Sequence, residues 1–233
     1  MKQGAIKQTN IKQVYKKLLA CYGQQHWWPG DSPFEVMVGA ILTQNTAWTN
    51  VERAIANLKS HACLNPQRIL DSPLADLAMW LQPSGYFNVK AQRLRNYCQW
   101  YVDAGGLDVL SSCDTPSLRQ QLLSVNGVGP ETADDMLLYA FERPVFVIDS
   151  YTRRIFYRLQ LVKHDASYEK LRHQFEADLT AGLNVGLKTD LKATVSVFNE
   201  YHALIVRHAK DVCKNRPSCV SCCLVKLCPS REL

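Results

Sequence analysis

Apolar residues recur at helical spacing along nearly the whole chain, and short turn signals cut the pattern into segments. These signals are Asn65-Pro66, Ser72-Pro73, Pro83-Ser84-Gly85, Gly105-Gly106 and Thr115-Pro116. Thr115-Pro116 reads as a helix N-cap followed by proline at the first helical position. The apolar run from Val36 to Leu42 suits a buried helix, and nothing reads as a set of alternating strands. The one β-like piece, residues 145–148, is short and lies between Pro144 and an expected helix start. Many helices of ten to fifteen residues joined by tight turns predict an all-α globule. The 233 residues are 47% hydrophobic, enough for a core in one large domain or two small ones. No Gly/Ser/Pro-rich linker divides them, so any second domain is expected to be closely docked.

The segment at 122–141, LLSVNGVGPETADDMLLYAF, carries the most chemistry. Leu118, Leu122 and Val125 mark one helix, and Ala133, Met136, Leu137, Ala140 and Phe141 mark one face of the next. Between them Asn126-Gly127-Val128-Gly129 leads into Pro130, well suited to the first helical position. Glycines at 127 and 129 can take backbone angles closed to other residues, which permits a very tight turn. Its N–H groups, at the positive end of the second helix, then suit a phosphate oxygen and read backbone shape rather than sequence. A lone G-x-G is often no more than a tight corner between helices. Here the pattern extends through hydrophobic-x-x-hydrophobic-x-G-V-G-x-x-T-A, which favours a hairpin that holds DNA at Gly127, Val128 and Gly129.

A net charge of +6 is moderate, but the basic residues are grouped. Lys2, Lys7, Lys12, Lys16 and Lys17 lie near the N-terminus. Lys90, Arg93 and Arg95 form a second set, Arg153, Arg154 and Arg158 a third, and Arg207, Lys210, Lys214 and Arg216 a fourth. Such sets can be solvated helix faces, but they can also neutralise phosphates, which makes nucleic acid the leading polyanion. There is no apolar signal core and no stretch of membrane-spanning length, so no membrane partner and a cytoplasmic, nucleoid-associated location are expected. In that setting the nine cysteines are not expected to pair as disulfides. Cys21, Cys63, Cys98 and Cys113 are scattered and read as small buried apolar groups. The other five fall together at the end, where Cys213, Cys219, Cys222 and Cys228 give C-x5-C-x2-C-x5-C, with Cys223 as an ambiguity of register. Four thiolates in a compact loop can enclose a 4Fe–4S cluster, or a structural zinc ion.

The hairpin, the downstream V-I-D-S-Y-T-R-R at 147–154, G-A-I-L-T-Q-N-T at 39–46, G-Y-F-N-V-K-A at 85–91 and the terminal cysteines together resemble the helix-hairpin-helix DNA glycosylases of the endonuclease III superfamily. The resemblance covers roughly residues 26–228 and implies two helical lobes with double-stranded DNA bound between them by a monomer. One lobe would be a six-helix barrel at 26–143 bearing the hairpin. The other would join 1–25 to 144–233 and carry the iron–sulfur cluster, with Asp149 at the mouth between lobes. In that family the aspartate at the position of Asp149 is the catalytic carboxylate; it can equally cap a helix starting at Ser150. Breaking an N-glycosidic bond leaves positive charge on the sugar, which a preorganised anion stabilises while orienting the attacking water. Bifunctional members carry a lysine two residues beyond the G-V-G turn, which forms a Schiff base and nicks the strand. Here that position is Glu131, so a monofunctional enzyme is expected.

Trp27, Trp28 and Pro29, with Trp48 after the 43–46 loop, resemble the base pocket of the 3-methyladenine DNA glycosylases of the endonuclease-III-like branch; ordinary core packing of the tryptophans is the less favoured alternative. A cationic alkylated purine stacks well on indole faces and leaves readily, so an aromatic box and one carboxylate would suffice. The same resemblance implies that Asn45, or its neighbour Gln44, fills the gap left by the extruded nucleotide. It also implies the cluster at Cys213, Cys219, Cys222 and Cys228, although the family's first gap usually has six residues rather than five. Clamping the terminal loop would hold Lys214, Arg216 and Lys226 towards the DNA backbone. The competing expectations are a uracil or thymine mismatch glycosylase, a bifunctional glycosylase/lyase, and a non-catalytic hairpin protein with no use for Asp149.

Overall fold

A computed structural model describes residues 10–27, 30–181 and 190–231. The protein is all-α, and no strand occurs among the described residues. In chain order the helices are α1 (Ile11–Tyr22), α2 (Pro33–Leu42), α3 (Trp48–Ser60), α4 (Pro66–Asp71), α5 (Leu74–Trp80) and α6 (Phe87–Asp103). They continue as α7 (Gly106–Ser112), α8 (Thr115–Ser124), α9 (Pro130–Asp135), α10 (Ser150–Arg158), α11 (Tyr168–Thr180) and α12 (Leu191–Asp211). No helix among the described residues is long and apolar enough to cross a membrane. The chain forms two compact units, residues 28–143 and residues 1–27 with 144–233.

Local chemistry sets many helix starts. Ser32 caps α2 with Pro33 behind it, and Asn65 caps α4 with Pro66 behind it; each side-chain oxygen accepts an amide three residues on. The start of α8 differs from expectation. Asp114 is the cap, accepting from the Ser117 amide at 2.9 Å, while Thr115 and Pro116 lie inside the first turn. Aspartate is the stronger cap of the two, because its carboxylate also meets the positive end of the helix.

In the 28–143 unit, α2 is buried from Glu35 to Leu42. The helix after the hairpin does not run on as one α-helix: α9 ends at Asp135 and Met136–Ala140 form a π-turn, closed by the Phe141 amide on the Met136 carbonyl at 3.1 Å. All five of its residues are buried. Arg119 and Asp134 tie α8 to α9 by a two-pronged ion pair, 2.6 and 3.1 Å, with Asp134 wholly enclosed.

Lys90, grouped above with the phosphate-seeking residues, is instead buried. Its ammonium donates to the Leu42 carbonyl at 2.8 Å and the Ser84 carbonyl at 2.7 Å, closing the C-terminal end of α2. Burial, and then the nearby Arg93 charge, pull its pKa down to about 8. A lysine with a folded pKa below its unfolded value costs stability below pH 8, a cost relieved as pH rises from there towards 10.5. We expect the wild type to gain stability relative to Lys90→Met between pH 7.5 and 10, read from urea midpoints of the two proteins. A difference that stays flat with pH would contradict this.

In the second unit, an aromatic core joins α10, α11 and α12. Phe146 stacks on Phe175 at 4.8 Å, Phe175 meets Phe156 at 4.6 Å, and Phe198 meets Phe146 at 5.4 Å. The β-like piece, residues 145–148, is a buried extended segment without a partner strand. Side chains of α11 take its amides: Glu176 Oε1 accepts from Phe146 N at 3.1 Å and the Tyr168 hydroxyl from Ile148 N at 3.4 Å. This segment delivers Asp149 to the start of α10.

Candidate active site and nucleic-acid interface

The hairpin joins α8 to α9 through residues 125–129. Gly127 sits at φ +99°, closed to side-chain-bearing residues, and a Cβ there would meet Arg93 Cγ at 2.3 Å. Gly129 departs from expectation. Its φ of −95° is open to any residue, and a Cβ would meet nothing within 4 Å. Val128 departs too, since its side chain is buried and its amide donates to the Val125 carbonyl at 3.0 Å. Among the described residues no backbone acceptor takes the Gly127 or Gly129 amide, so of the three hairpin amides only Val128's is engaged within the turn. Glu131 is exposed in the first turn of α9, where an acid suits the helix dipole.

The 43–46 loop is bound to this hairpin. Gln44 Nε2 donates to the Gly127 carbonyl and to Thr132 Oγ1, each at 3.0 Å, and Arg93 Nη1 donates to Gln44 Oε1. Neighbouring Asn45 is exposed at φ +54°. Of the two gap-filling candidates, Asn45 has the free surface and Gln44 braces the turn. Trp48 opens α3, and its ring lies against α2 where Gly39 leaves room; a Cβ there would stand 3.1 Å from Trp48 Cη2. The ring lines an open groove of about 450 Å³ with Asp31, Glu35, Glu52 and Lys59.

In the other unit Asp149 is both a helix cap and a buried carboxylate. Its Oδ1 accepts from the Thr152 amide at 2.7 Å, and its Oδ2 lies 3.5 Å from His202 Nε2. Burial acts to raise the carboxyl. The His202 imidazole 3.5 Å away, then Thr152, whose amide caps the other oxygen, outweigh it and hold Asp149 below the usual carboxylate value. Trp27 places its ring 5.9 Å from the His202 ring. Trp28 and Pro29 lie outside the described residues.

The terminal cysteines follow α12. Cys213, Cys219, Cys222 and Cys228 line one cavity of about 30 Å³ with Arg158 and Val212. Cys223 is not in that lining; burial first, then neighbouring Cys21, push its thiol up. Burial pushes the Cys222 thiol up against an opposing Leu224 backbone hydrogen bond, and negative charge at Cys213, Cys228 or Cys219 would push it further. No three His, Cys, Asp or Glu side chains among the described residues converge as a single-ion site. Cys63 and Cys98 are buried as expected, but Cys21 is exposed at the end of α1.

Several cations expected at phosphates serve the fold. Arg154 donates to the carbonyls of Cys213 at 3.0 Å and Ala209 at 3.1 Å. Arg158 reaches the Lys214 and Asn215 carbonyls and the Cys213 sulfur at 3.2 Å. Arg153 holds the Ala166 carbonyl, Arg95 the Leu70 carbonyl. Lys214, Arg216 and Lys226 are exposed; Lys2 and Lys7 lie outside the described residues. Two residues were not singled out from the sequence. His202 is one, spaced on α12 like any core residue. Tyr86 is the other, 73% exposed at φ +47° where α6 begins.

A two-helix hairpin whose Gly127 and Gly129 amides have no backbone acceptor and, elsewhere in the chain, a buried carboxylate held below its usual value fit a helix-hairpin-helix protein that acts on DNA. Residues 38–179 match the HhH-GPD superfamily base excision DNA repair protein family. A relative from Methanocaldococcus jannaschii, named "Putative DNA repair glycosylase MJ1434", is 42% identical over 95% of this chain and 96% of its own. Endonuclease III of Haemophilus influenzae is 28% identical over 87% of this chain and 86% of its own. Among solved structures, the H. pylori 3-methyladenine DNA glycosylase MagIII bound to 1,N6-ethenoadenine matches with a TM-score of 0.73 and 28% identity, over 85% of this chain and 96% of that one. An endonuclease III–DNA covalent intermediate shares the fold, with a TM-score of 0.76 and 19% identity over 94% of both chains. The chain belongs to the HhH-GPD superfamily of base excision DNA repair proteins, in its endonuclease III-like branch. It is a DNA glycosylase of base excision repair.

Proposed function

We propose that this glycosylase is monofunctional: it flips a damaged, alkylated purine such as 3-methyladenine out of double-stranded DNA and hydrolyses its N-glycosidic bond with Asp149. The observation that carries this reading is the Asp149 carboxylate, buried yet held ionised by His202 and Thr152. As the C1′–N bond breaks, the bonding pair leaves with the base and positive charge develops on the sugar. A fixed anion is worth most against that charge where water is excluded. Water then adds at C1′, and its proton can pass to the carboxylate. Glu131 stands where a lyase would need an amine, and a carboxylate forms no imine. Indole faces suit a cationic base, which is the chemistry that Trp27, Trp28 and Trp48 would bring, and the MagIII likeness supports an alkylated purine. Asn45 fills the vacated stack, while the amides of Gly127 and Gly129 hold the backbone.

The terminal loop holds a 4Fe–4S cluster on Cys213, Cys219, Cys222 and Cys228. Four thiols lining one cavity suit such a group, and Arg154, Arg158 and His208 supply hydrogen bonds around it. Its work here is to clamp the loop behind α12, which sets Lys214, Arg216 and Lys226 on the surface. Iron and sulfide analysis tests this: brown wild-type protein that turns colourless in Cys213→Ser is expected, and a colourless zinc protein would refute it.

The substrate reading is tested with duplexes carrying 3-methyladenine, 7-methylguanine, uracil, a thymine mismatch or an oxidised base. Base release and strand nicking are scored separately. Release of alkylated purine, with nicking only after alkali, is expected. Release confined to uracil or thymine would overturn the pocket assignment, and direct nicking would overturn the monofunctional one.

A further inference from the structure

Asp149 has two oxygens, and two elements hold them. Oδ1 belongs to the α10 cap through the Thr152 amide at 2.7 Å. Oδ2 faces His202 Nε2 at 3.5 Å, from α12, more than fifty residues along the chain. His202 is itself 4% exposed, and its other face meets the Trp27 ring. A cap alone leaves a carboxylate free to turn about its last bond; a second partner on the other oxygen removes that freedom. Neither helix capping nor core packing requires a histidine here, since an apolar side chain would fill the same space on α12.

We propose that His202 is the positioning residue of Asp149, fixing the plane and charge of its carboxylate from the side opposite the helix cap, against a wall made by Trp27. This rests on the reading that Asp149 drives base release. Two other polar groups, on α10 and α11, are committed elsewhere. Arg153 of α10 donates to the Ala166 carbonyl at 2.8 Å, and Tyr168 of α11 accepts from the Ile148 amide. From the segment after α1 comes the uncharged Trp27. His202 is therefore the charged or chargeable partner of Asp149 among these contacts, and without it only Thr152 would oppose the effect of burial on the carboxyl.

The test is single-turnover base release, on whichever damaged duplex loses its base to the wild type, by His202→Leu, His202→Gln and Asp149→Asn across pH. His202→Leu should slow release roughly tenfold to a hundredfold, the scale for losing a partner that orients a reacting group, with duplex affinity unchanged. Its acid limb should move to higher pH, because the carboxylate protonates more readily. His202→Gln, whose amide nitrogen occupies the place of Nε2, should recover most of the rate, with a limb between the two. If both variants keep the wild-type rate and limb while Asp149→Asn is inactive, the inference fails and the Asp149 reading stands. If Asp149→Asn keeps activity, the Asp149 reading itself fails. Should His202→Leu unfold, the acid limb of His202→Gln still decides: a limb identical to wild type refutes the proposal.

Discussion

Asp149→Asn should lower base release by roughly a hundredfold to ten-thousandfold, or about 3 to 5 kcal/mol at 1.36 kcal/mol per decade, while leaving the fold and DNA binding in place. Asparagine is as good an N-cap as aspartate, so the Thr152 amide keeps an acceptor and α10 keeps its start. What the substitution removes is the negative charge, the one property the developing sugar cation needs. Loss of a negative charge also cannot weaken binding to a polyanion, so duplex affinity should hold or rise slightly. The acid limb of the rate should vanish with the carboxylate. The same group links pH to stability. A carboxyl with a folded pKa below its unfolded value adds stability at neutral pH that is lost as pH falls through the carboxylate range. Wild type should therefore be the more acid-sensitive of the two. Release within tenfold of wild type would rule out Asp149 as the driving charge.

The fold class was legible because helix and turn signals are local. Ser32-Pro33 and Asn65-Pro66 start helices for reasons contained in a few residues. What escaped the sequence depends on distant partners. Arg154 and Arg158 look like phosphate ligands in isolation, yet their heads are taken by carbonyls some 55 residues further on. Lys90 is likewise occupied from Leu42, 48 residues before it. The π-turn at Met136–Ala140 has the same apolar pattern as an α-helix, and only its packing distinguishes it. In the site, the Asp149 cap could be read from D-S-Y-T, but His202 could not be told from a core histidine. The thiol register follows similar logic: Cys223 is left out of the cavity that the other four thiols line, which spacing within the terminal loop cannot reveal. Residues that carry charge are the least predictable locally, since a charge is spent wherever the fold has an orphaned dipole.

The two hairpin glycines should fail in different ways when replaced by alanine. At Gly127, φ of +99° costs an L-residue on the order of 1–3 kcal/mol. The added Cβ would also press on Arg93 Cγ at 2.3 Å and Cβ at 2.9 Å. The Arg93 side chain cannot swing aside cheaply, because its guanidinium is bound to Gln44, which in turn holds the Gly127 carbonyl. Gly127→Ala should therefore destabilise the protein by about 3 kcal/mol or more, at the upper end for single substitutions, visible as a lowered urea midpoint. Gly129→Ala meets no protein atom and needs no unusual backbone angle, so its midpoint should stay within about 0.5 kcal/mol of wild type. Its methyl would instead stand in the open space beside the turn, where the proposed phosphate contact would form. Binding should weaken by about tenfold, equally for damaged and undamaged duplexes, because a backbone contact positions DNA without reading bases. Stability and affinity measured on both variants thus separate the glycine the turn needs from the glycine the DNA needs. A Gly129→Ala protein that binds as tightly as wild type would remove the phosphate from that turn, whatever Gly127→Ala does to the fold.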